Sequence, residues 1–301
     1  MSRPPRYLSQ PVSRRPRSRR SSYRRRRAGA LAALVAVAVA AWLLIAGVPG
    51  SVDVHGARIV RYTIASRLVK GSHSQVAIAP PGQSASERPL LVFLYGKGEN
   101  DESNLSSNLF AALAALGSRA PDVVFPDGGE DSYWHNRADG RWADYVLDEV
   151  IPEAVRRLHA DPHRIAIGGL SMGGFGAYDI ALQHPGRFCA VAGRSVALWR
   201  SGSETAEGSF DSAEDFDRND VLSEVAHGGS PLVGEALWLD VGTEDPFRSA
   251  DTELVESLRA RGHTVQMHVW AGGHEVSYWN AHWGPYMRFV ADALAGCRGT
   301  G

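Results

Sequence analysis

The sequence predicts one α/β domain, a largely parallel sheet with helices on both faces, preceded by a single N-terminal transmembrane helix. Three observations lead there. From about Arg58 onward, short apolar or β-branched runs alternate with longer amphipathic stretches, the pattern of parallel strands joined by helices. The pentapeptide Gly169-Leu170-Ser171-Met172-Gly173 sits between one such run and one such stretch. The first 48 residues divide into an arginine-rich head and an uncharged apolar run unlike anything that follows.

The head and the body are different objects. Residues 1–27 hold eleven arginines and no acid, so the net charge of −1 hides 21 basic against 33 acidic residues, a net of −12, in the remainder. The head is low in complexity and reads as disordered. Alone it would suit nucleic acid, but residues 28–48 carry no charge. At ~1.5 Å per residue that run spans the hydrocarbon core of a bilayer. Arg24-Arg25-Arg26-Arg27 abuts its start and Trp42 lies near its far end, which keeps the head cytoplasmic and puts everything after Val48 outside. The expectation is a single-pass signal anchor in the plasma membrane, an extracytoplasmic domain and no nucleic-acid partner. Secretion after signal cleavage is the alternative. Its apolar region would be shorter, about 7–15 residues, and the small-x-small sites Ala36-Val37-Ala38 and Ala38-Val39-Ala40 lie inside the run. Residues 49–57 read as a tether and 58–297 as the α/β domain.

Within that domain, strands are expected at 58–65 and 75–79, ending at Pro80-Pro81-Gly82. Pro89-Leu90-Leu91-Val92-Phe93-Leu94-Tyr95 is continuously apolar, as a strand buried on both faces is. A helix over 109–119 and a short strand at Val123-Val124-Phe125 follow. Helical periodicity runs through 141–159, with Pro152 expected to kink it. Further strands are read at 164–168, 188–192, 237–241 and 264–270. Further helices are read at 174–182, 211–225, 249–261 and 276–295.

Strand, sharp turn and helix around Gly-x-Ser-x-Gly is the setting of a nucleophile elbow. The turn holds the serine in strained geometry, so small residues must flank it, and Gly169 and Gly173 supply them. Ser171 is then a nucleophile that needs a base, and the base needs an acid to orient it. In α/β-hydrolases the acid and the histidine follow in that order, each on a loop at the carboxyl end of a strand. His274 lies on Ala271-Gly272-Gly273-His274-Glu275, just past the final strand. His268 falls inside that strand, His282 inside the next helix, and His263 at the wrong strand end. Asp245, on the loop after 237–241 and stiffened by Pro246, is the expected acid. Glu244 is its nearest rival, and Asp240 falls too early, within the strand. An oxyanion hole needs two backbone donors. Met172 supplies one amide and Lys97, between Gly96 and Gly98, the other.

The stretch 128–142 reads as a pocket wall, with Tyr133, Trp134 and His135 exposed among polar residues, and Ala197-Leu198-Trp199-Arg200 as another. Aromatics there suit sugar or aryl rings, or serve as loop anchors. His274-Glu275-Val276-Ser277-Tyr278 lacks the second histidine of H-E-x-x-H, so neither metal nor cofactor is expected. Cys189 and Cys297 both lie in the outside part, where a disulfide persists. The sequence leaves open whether they pair or are two small buried residues.

Residues 91–100, Pro126-Asp127-Gly128, 145–152, 168–176, His184-Pro185-Gly186-Arg187-Phe188, 240–247 and 272–279 together resemble the esterase-D-type esterases. That α/β-hydrolase group includes formylglutathione hydrolases, feruloyl and acetyl esterases, and secreted mycolyltransferases. The resemblance covers roughly residues 58–297. It implies the α/β-hydrolase fold, Ser171, Asp245 and His274 as triad, and the Lys97 and Met172 amides as oxyanion hole. It also implies hydrolysis of a small-molecule or envelope ester, or acyl transfer to a sugar or lipid hydroxyl. A non-catalytic envelope-binding module is the remaining alternative, since fold alone does not establish function. Tyr95 stands where many relatives carry histidine, and so does Arg194 in Gly193-Arg194-Ser195. Both positions are expected to border the pocket. No cysteine flanks the serine as in formylglutathione hydrolases.

Overall fold

The computed structural model describes residues 52–82, 87–229, 232 and 234–299. They belong to one compact unit, Val52–Gly301. The expected head, the anchor at 28–48 and the first part of the tether lie outside the described residues. No helix among the described residues is long and apolar enough to cross a membrane.

Eight strands form the main sheet: β1 (Arg58–Ala65), β2 (Ser72–Ala79), β3 (Leu90–Leu94), β4 (Asp122–Pro126), β7 (Ile165–Leu170), β8 (Ala190–Arg194), β9 (Ala236–Gly242) and β10 (Val265–Trp270). A separate hairpin, which the sequence did not suggest, pairs β5 (Asn136–Arg137) with β6 (Gly140–Arg141). The main order is β1-β2-β4-β3-β7-β8-β9-β10. β1 and β2, and β2 and β4, pair antiparallel, and every later pair is parallel. β3, β7 and β8 are buried along their whole length, as central strands covered on both faces must be.

The helices are α1 (Ser107–Leu116), α2 (Trp142–Tyr145), α3 (Ile151–Leu158), α4 (Met172–Gln183), α5 (Ala213–Arg218), α6 (Val221–His227), α7 (Arg248–Ala260), α8 (Val276–Ala281) and α9 (Trp283–Gly296). One apolar cluster packs α3, α4, α6 and α7 on one face of the sheet, and a second packs α1 and α9 on the other.

Three expected helices are broken, two of them for a local reason. Pro152 has no N–H, and the chain before it takes a π turn at Val146–Val150, with the Ile151 amide reaching back to the Val146 carbonyl. The stretch 211–225 divides because Asp220 caps a new start, accepting from the Ser223 amide at 3.0 Å. The last helix divides at His282.

Cys189 and Cys297 are bonded, with their Cα atoms 5.7 Å apart. The bridge ties the end of α9 to the amino end of β8 and closes 108 residues of chain. Loops of that length give cross-links a large entropic effect on the unfolded chain.

The fold also buries an acid without a cation. Asp179, on α4, is 3 % exposed, and one of its oxygens accepts from Gln183 at 2.8 Å. Burial raises its pKa to about 7, with a contribution from the nearby Asp215, against the Gln183 bond. Between about pH 4 and that value, the folded carboxyl keeps a proton that the unfolded one has lost. Stability therefore falls as pH rises through the window. Asp179→Asn is expected to raise the unfolding free energy at pH 8 by roughly 1–3 kcal/mol and to change little at pH 4. Denaturant titrations at the two pH values check this, and a pH-independent effect would contradict it.

Candidate active site

β7 ends at Leu170 and α4 begins at Met172, so Ser171 alone makes the turn, at φ 52° and ψ −118°. A side chain in this left-handed region is strained, and the surroundings must hold it there. The Ser171 amide donates to the Arg194 carbonyl at 2.8 Å, while its carbonyl accepts from Phe175 and Ala197. The close approach explains the flanking glycines. A Cβ on Gly173 would stand 1.9 Å from the Leu94 carbonyl oxygen, and one on Gly169 2.5 Å from the same atom.

Ser171 Oγ lies 2.9 Å from His274 Nε2, and His274 Nδ1 lies 2.9 Å from Asp245 Oδ2. His274 comes from the loop after β10, and Asp245 from the loop after β9. The Asp245 side chain is fully buried while His274 is 24 % exposed, so the imidazole faces the cleft and its partner does not. Burial pushes the Asp245 carboxyl up. Hydrogen bonds from His274 and the Phe247 amide and the charge of the imidazole outweigh it and hold the carboxyl below its ordinary value. With that carboxylate bound to Nδ1–H, Nε2 is left as the acceptor facing Ser171.

The loop after β3 lies against the serine: a Cβ on Gly96 would be 3.5 Å from that of Ser171. The Gly96 amide donates to Glu99 Oε2, Gly98 to the Glu130 carbonyl and Glu99 to the Gly96 carbonyl. The Lys97 amide spends itself on no such acceptor among the described residues. Met172 opens α4, where the first amides have no intrahelical partner. The Lys97 ammonium crosses to the Glu207 carbonyl at 2.8 Å.

Four of the five expected pocket residues are placed differently from the sequence reading. Tyr95 is buried, and its hydroxyl bonds Asp127 and the Gly129 carbonyl and accepts from the Gly128 amide. It anchors the neighbouring loop. Tyr133 and Trp134 are also buried, not exposed. Both have positive φ, 50° and 61°, and both side chains pack into the domain. Trp134 Nε1 donates to the Tyr95 carbonyl at 3.2 Å, and Tyr133 packs against Phe175, Trp199 and Phe210. His135 is buried with them, stacked on Phe210 and bonded to Asp215. Burial lowers its pKa against the pull of Asp215.

Arg194 is wholly buried beneath the site. Its Nε donates to Asp240 Oδ2 at 3.2 Å and its Nη2 to the Trp279 carbonyl at 2.8 Å, with the guanidinium over the rings of Trp283 and Tyr286. Asp240 Oδ2 also accepts from the Trp238 indole. Trp199 alone of the five keeps a partly exposed ring. It packs 5.7 Å from Phe247, which itself lies 5.3 Å from the His274 ring. Phe247, Ser195, Trp279 and Asp251 were not singled out in the sequence. Asp251 is buried and accepts from the Val196 amide at 3.2 Å. Among the described residues, no group of three or more His, Cys, Asp or Glu is placed to hold a metal.

Residues 69–285 match the family model described as Putative esterase. The chain is 30 % identical over 200 residues to the iron(III) enterobactin esterase of Dickeya dadantii, covering 64 % of this chain and 46 % of that protein. It is 24 % identical over 226 residues to Esterase Rv1288 of Mycobacterium tuberculosis, covering 62 % and 48 %. The chain thus spans about half the length of these relatives. Among solved structures, a ferulic acid esterase superposes with a TM-score of 0.70 at 20 % identity, over 79 % of this chain and 99 % of that one. An S-formylglutathione hydrolase from Agrobacterium tumefaciens gives 0.66 at 19 %, over 79 % and 96 %. At such identities the likeness is one of fold, and it agrees with the expected α/β-hydrolase architecture.

Arg194 generates a prediction about stability, not selectivity. Arg194→Ala leaves the Asp240 carboxylate buried without its cation and is expected to cost about 3–5 kcal/mol of unfolding free energy, read by denaturant titration. A stable variant with altered ester preference would return Arg194 to the pocket wall.

Proposed function

The chain belongs to the Putative esterase family, and on that premise we propose that it is a serine carboxylic-ester hydrolase, membrane-anchored, with its active site outside the cytoplasm. The observation that carries the chemistry is the unbroken hydrogen-bonded line from Ser171 Oγ through His274 to Asp245, 2.9 Å at each step.

An alcohol is a poor nucleophile until its proton has somewhere to go. His274 Nε2 takes that proton as Ser171 Oγ attacks the ester carbonyl. The imidazolium so formed is stabilised by Asp245, which also fixes the ring's orientation. The carbonyl oxygen becomes an oxyanion, received by the Met172 and Lys97 amides. His274 returns the proton to the departing alcohol, leaving an acyl group on Ser171. Water, activated by the same histidine, then releases the acid. The half-open wall of Trp199 and Phe247 beside the imidazole offers an apolar face to one side of the ester.

Ser171→Ala removes the nucleophile by a small-for-small change. It is expected to lower turnover of a chromogenic ester panel, acetyl to long acyl and feruloyl, by about 10⁴–10⁶-fold with the fold intact. Comparable activity in a folded variant would remove Ser171 from the mechanism.

The location rests on the sequence of residues 24–48, four arginines against an uncharged run of bilayer length. The Cys189–Cys297 bridge fits an oxidising compartment. The protein is expected to sediment with membranes, and protease added to intact, wall-permeabilised cells is expected to digest the domain and spare the head. Protection until lysis would contradict the topology, and a mature form starting near Val39 or Trp42 would mark a cleaved signal.

A further inference from the structure

β9 and β10 end side by side, with Gly242 the partner of Trp270, and the loops beyond them stay joined. The Thr243 amide donates to the Trp270 carbonyl at 2.8 Å, and the Glu244 amide to the Gly272 carbonyl at 2.9 Å. That second bond joins the neighbour of Asp245 to a residue just ahead of His274. The two backbones nearly touch here: a Cβ on Gly242 would stand 2.3 Å from the Gly272 carbonyl oxygen. The outgoing limb of the loop that carries His274 is thus seated on the loop that carries Asp245.

The returning limb is held by rings. α8 brings the chain back to His282, whose ring lies face to face with that of Trp270, centroids 4.2 Å apart and planes within 3°. A carbonyl can only accept, so His282 Nδ1, 2.7 Å from the Tyr278 carbonyl, carries a proton and donates it. That bond sets the plane of the imidazole. Trp270 is set from its other face, where it stacks on His268 at 4.7 Å and 9°. His268 in turn lies 4.3 Å from Trp238, a buried ring whose indole is bonded to Asp240. The stack runs from that buried indole out to His282.

Trp270 and His282 stand at the two ends of the loop, and their rings close it at the root. His282 also reaches the base through contacts. Its amide donates to the Trp279 carbonyl at 3.2 Å, and the Trp279 ring meets that of His274 edge-on, at 5.0 Å and 87°.

We propose that Trp270 and His282 are positioning residues for His274. Their stack keeps one limb of the loop from drifting away from the other, so that the imidazole stays between Asp245 and Ser171. The inference rests on the reading of Ser171, His274 and Asp245 as a triad. Both rings act through the loop and not on the ester, so their effect falls on the chemical step and not on substrate binding.

The test uses the full chain in detergent and three readouts. These are kcat and KM on a chromogenic ester, the second-order rate at which a fluorophosphonate labels Ser171, and the downfield proton resonance of the His274 Nδ1–H bonded to Asp245. The resonance reports the acid–base bond itself, which a loss of stability alone does not move. His282→Ala removes the ring. It is expected to lower kcat and labelling by about three- to tenfold, the scale of one ring pair, with KM within about twofold of the parent, and to broaden the downfield resonance. His282→Leu, which fills the space without a flat ring, is expected to do the same should the alanine variant fold poorly. His282→Phe restores a flat ring over Trp270 and is expected to recover most of both rates. Trp270→Leu removes the same contact from the other side, so its double variant with His282→Ala should be no slower than the slower single variant. Parental rates and a sharp resonance in a folded His282→Ala or His282→Leu, a rise in KM alone, a phenylalanine variant as slow as the alanine one, or effects that multiply would each overturn the proposal. A parent protein that neither labels nor hydrolyses any ester of the panel would instead overturn the triad reading.

Discussion

The carboxyl end of β8 is the constraint on which the rest of the site depends. Two adjacent residues there reach three others around the site. The Arg194 carbonyl receives the Ser171 amide, and its guanidinium holds Asp240 and the Trp279 carbonyl. The Ser195 amide donates to the Asp240 carbonyl, and its hydroxyl oxygen accepts from the Trp279 indole. A buried ion pair is seldom retained for net stability, since desolvation of both charges offsets their attraction. Here the pair has a geometric consequence. The guanidinium spans from β9 to α8 and fixes how far the segment bearing His274 stands from the strand bearing the elbow.

The strain at the site is concentrated at the ends of two adjacent parallel strands. Ser171 and Ser195 both have positive φ, 52° and 47°, and each follows the last residue of its strand. Parallel strands deliver their carboxyl ends to one edge of the sheet, so side chains far apart in sequence can be presented together there. Turning sharply at that edge brings Ser171 Oγ up toward the cleft, while Ser195 is kept beneath it.

The three residues that the structure joins in one hydrogen-bonded line were legible because each is marked by punctuation. Gly169 and Gly173 bracket the serine, Asp245 precedes a proline just beyond β9, and His274 follows two glycines just beyond β10. The sheet was legible for the same reason: period and composition change at each boundary. Pocket residues carry no such mark. A loop has no periodicity to say which way a ring points, and Tyr133 and Trp134, consecutive residues with left-handed backbone, both point inward. Arg194 read as a pocket-border residue because relatives carry histidine at that position, and nothing local in the sequence marks its guanidinium as buried. Its partner Asp240 stands 46 positions later and was recognised only as an acid within a strand. The same distance problem hid Ser195 and Trp279, 84 positions apart, and left the pairing of the two cysteines open.

That last pairing acquires a function beyond cross-linking once the path of the chain is followed. Cys189 lies just before β8 and Ser195 just after it. The segment that leaves the His274 loop as α8 and α9 is gripped at one end of β8 by Arg194 and Ser195, through Trp279. At the other end it is tied to the same strand through Cys297. Between the two attachments α9 packs its apolar face on the sheet, with Tyr286, Met287, Val290 and Leu294 buried there. The segment is therefore a strap fastened at both ends of one strand. A strap of that kind resists tilting, the motion that would carry His274 away from Ser171. The precision of the hydrogen-bonded line depends on the elements that carry its members, and here Ser171 and the segment bearing His274 are both referred to β8.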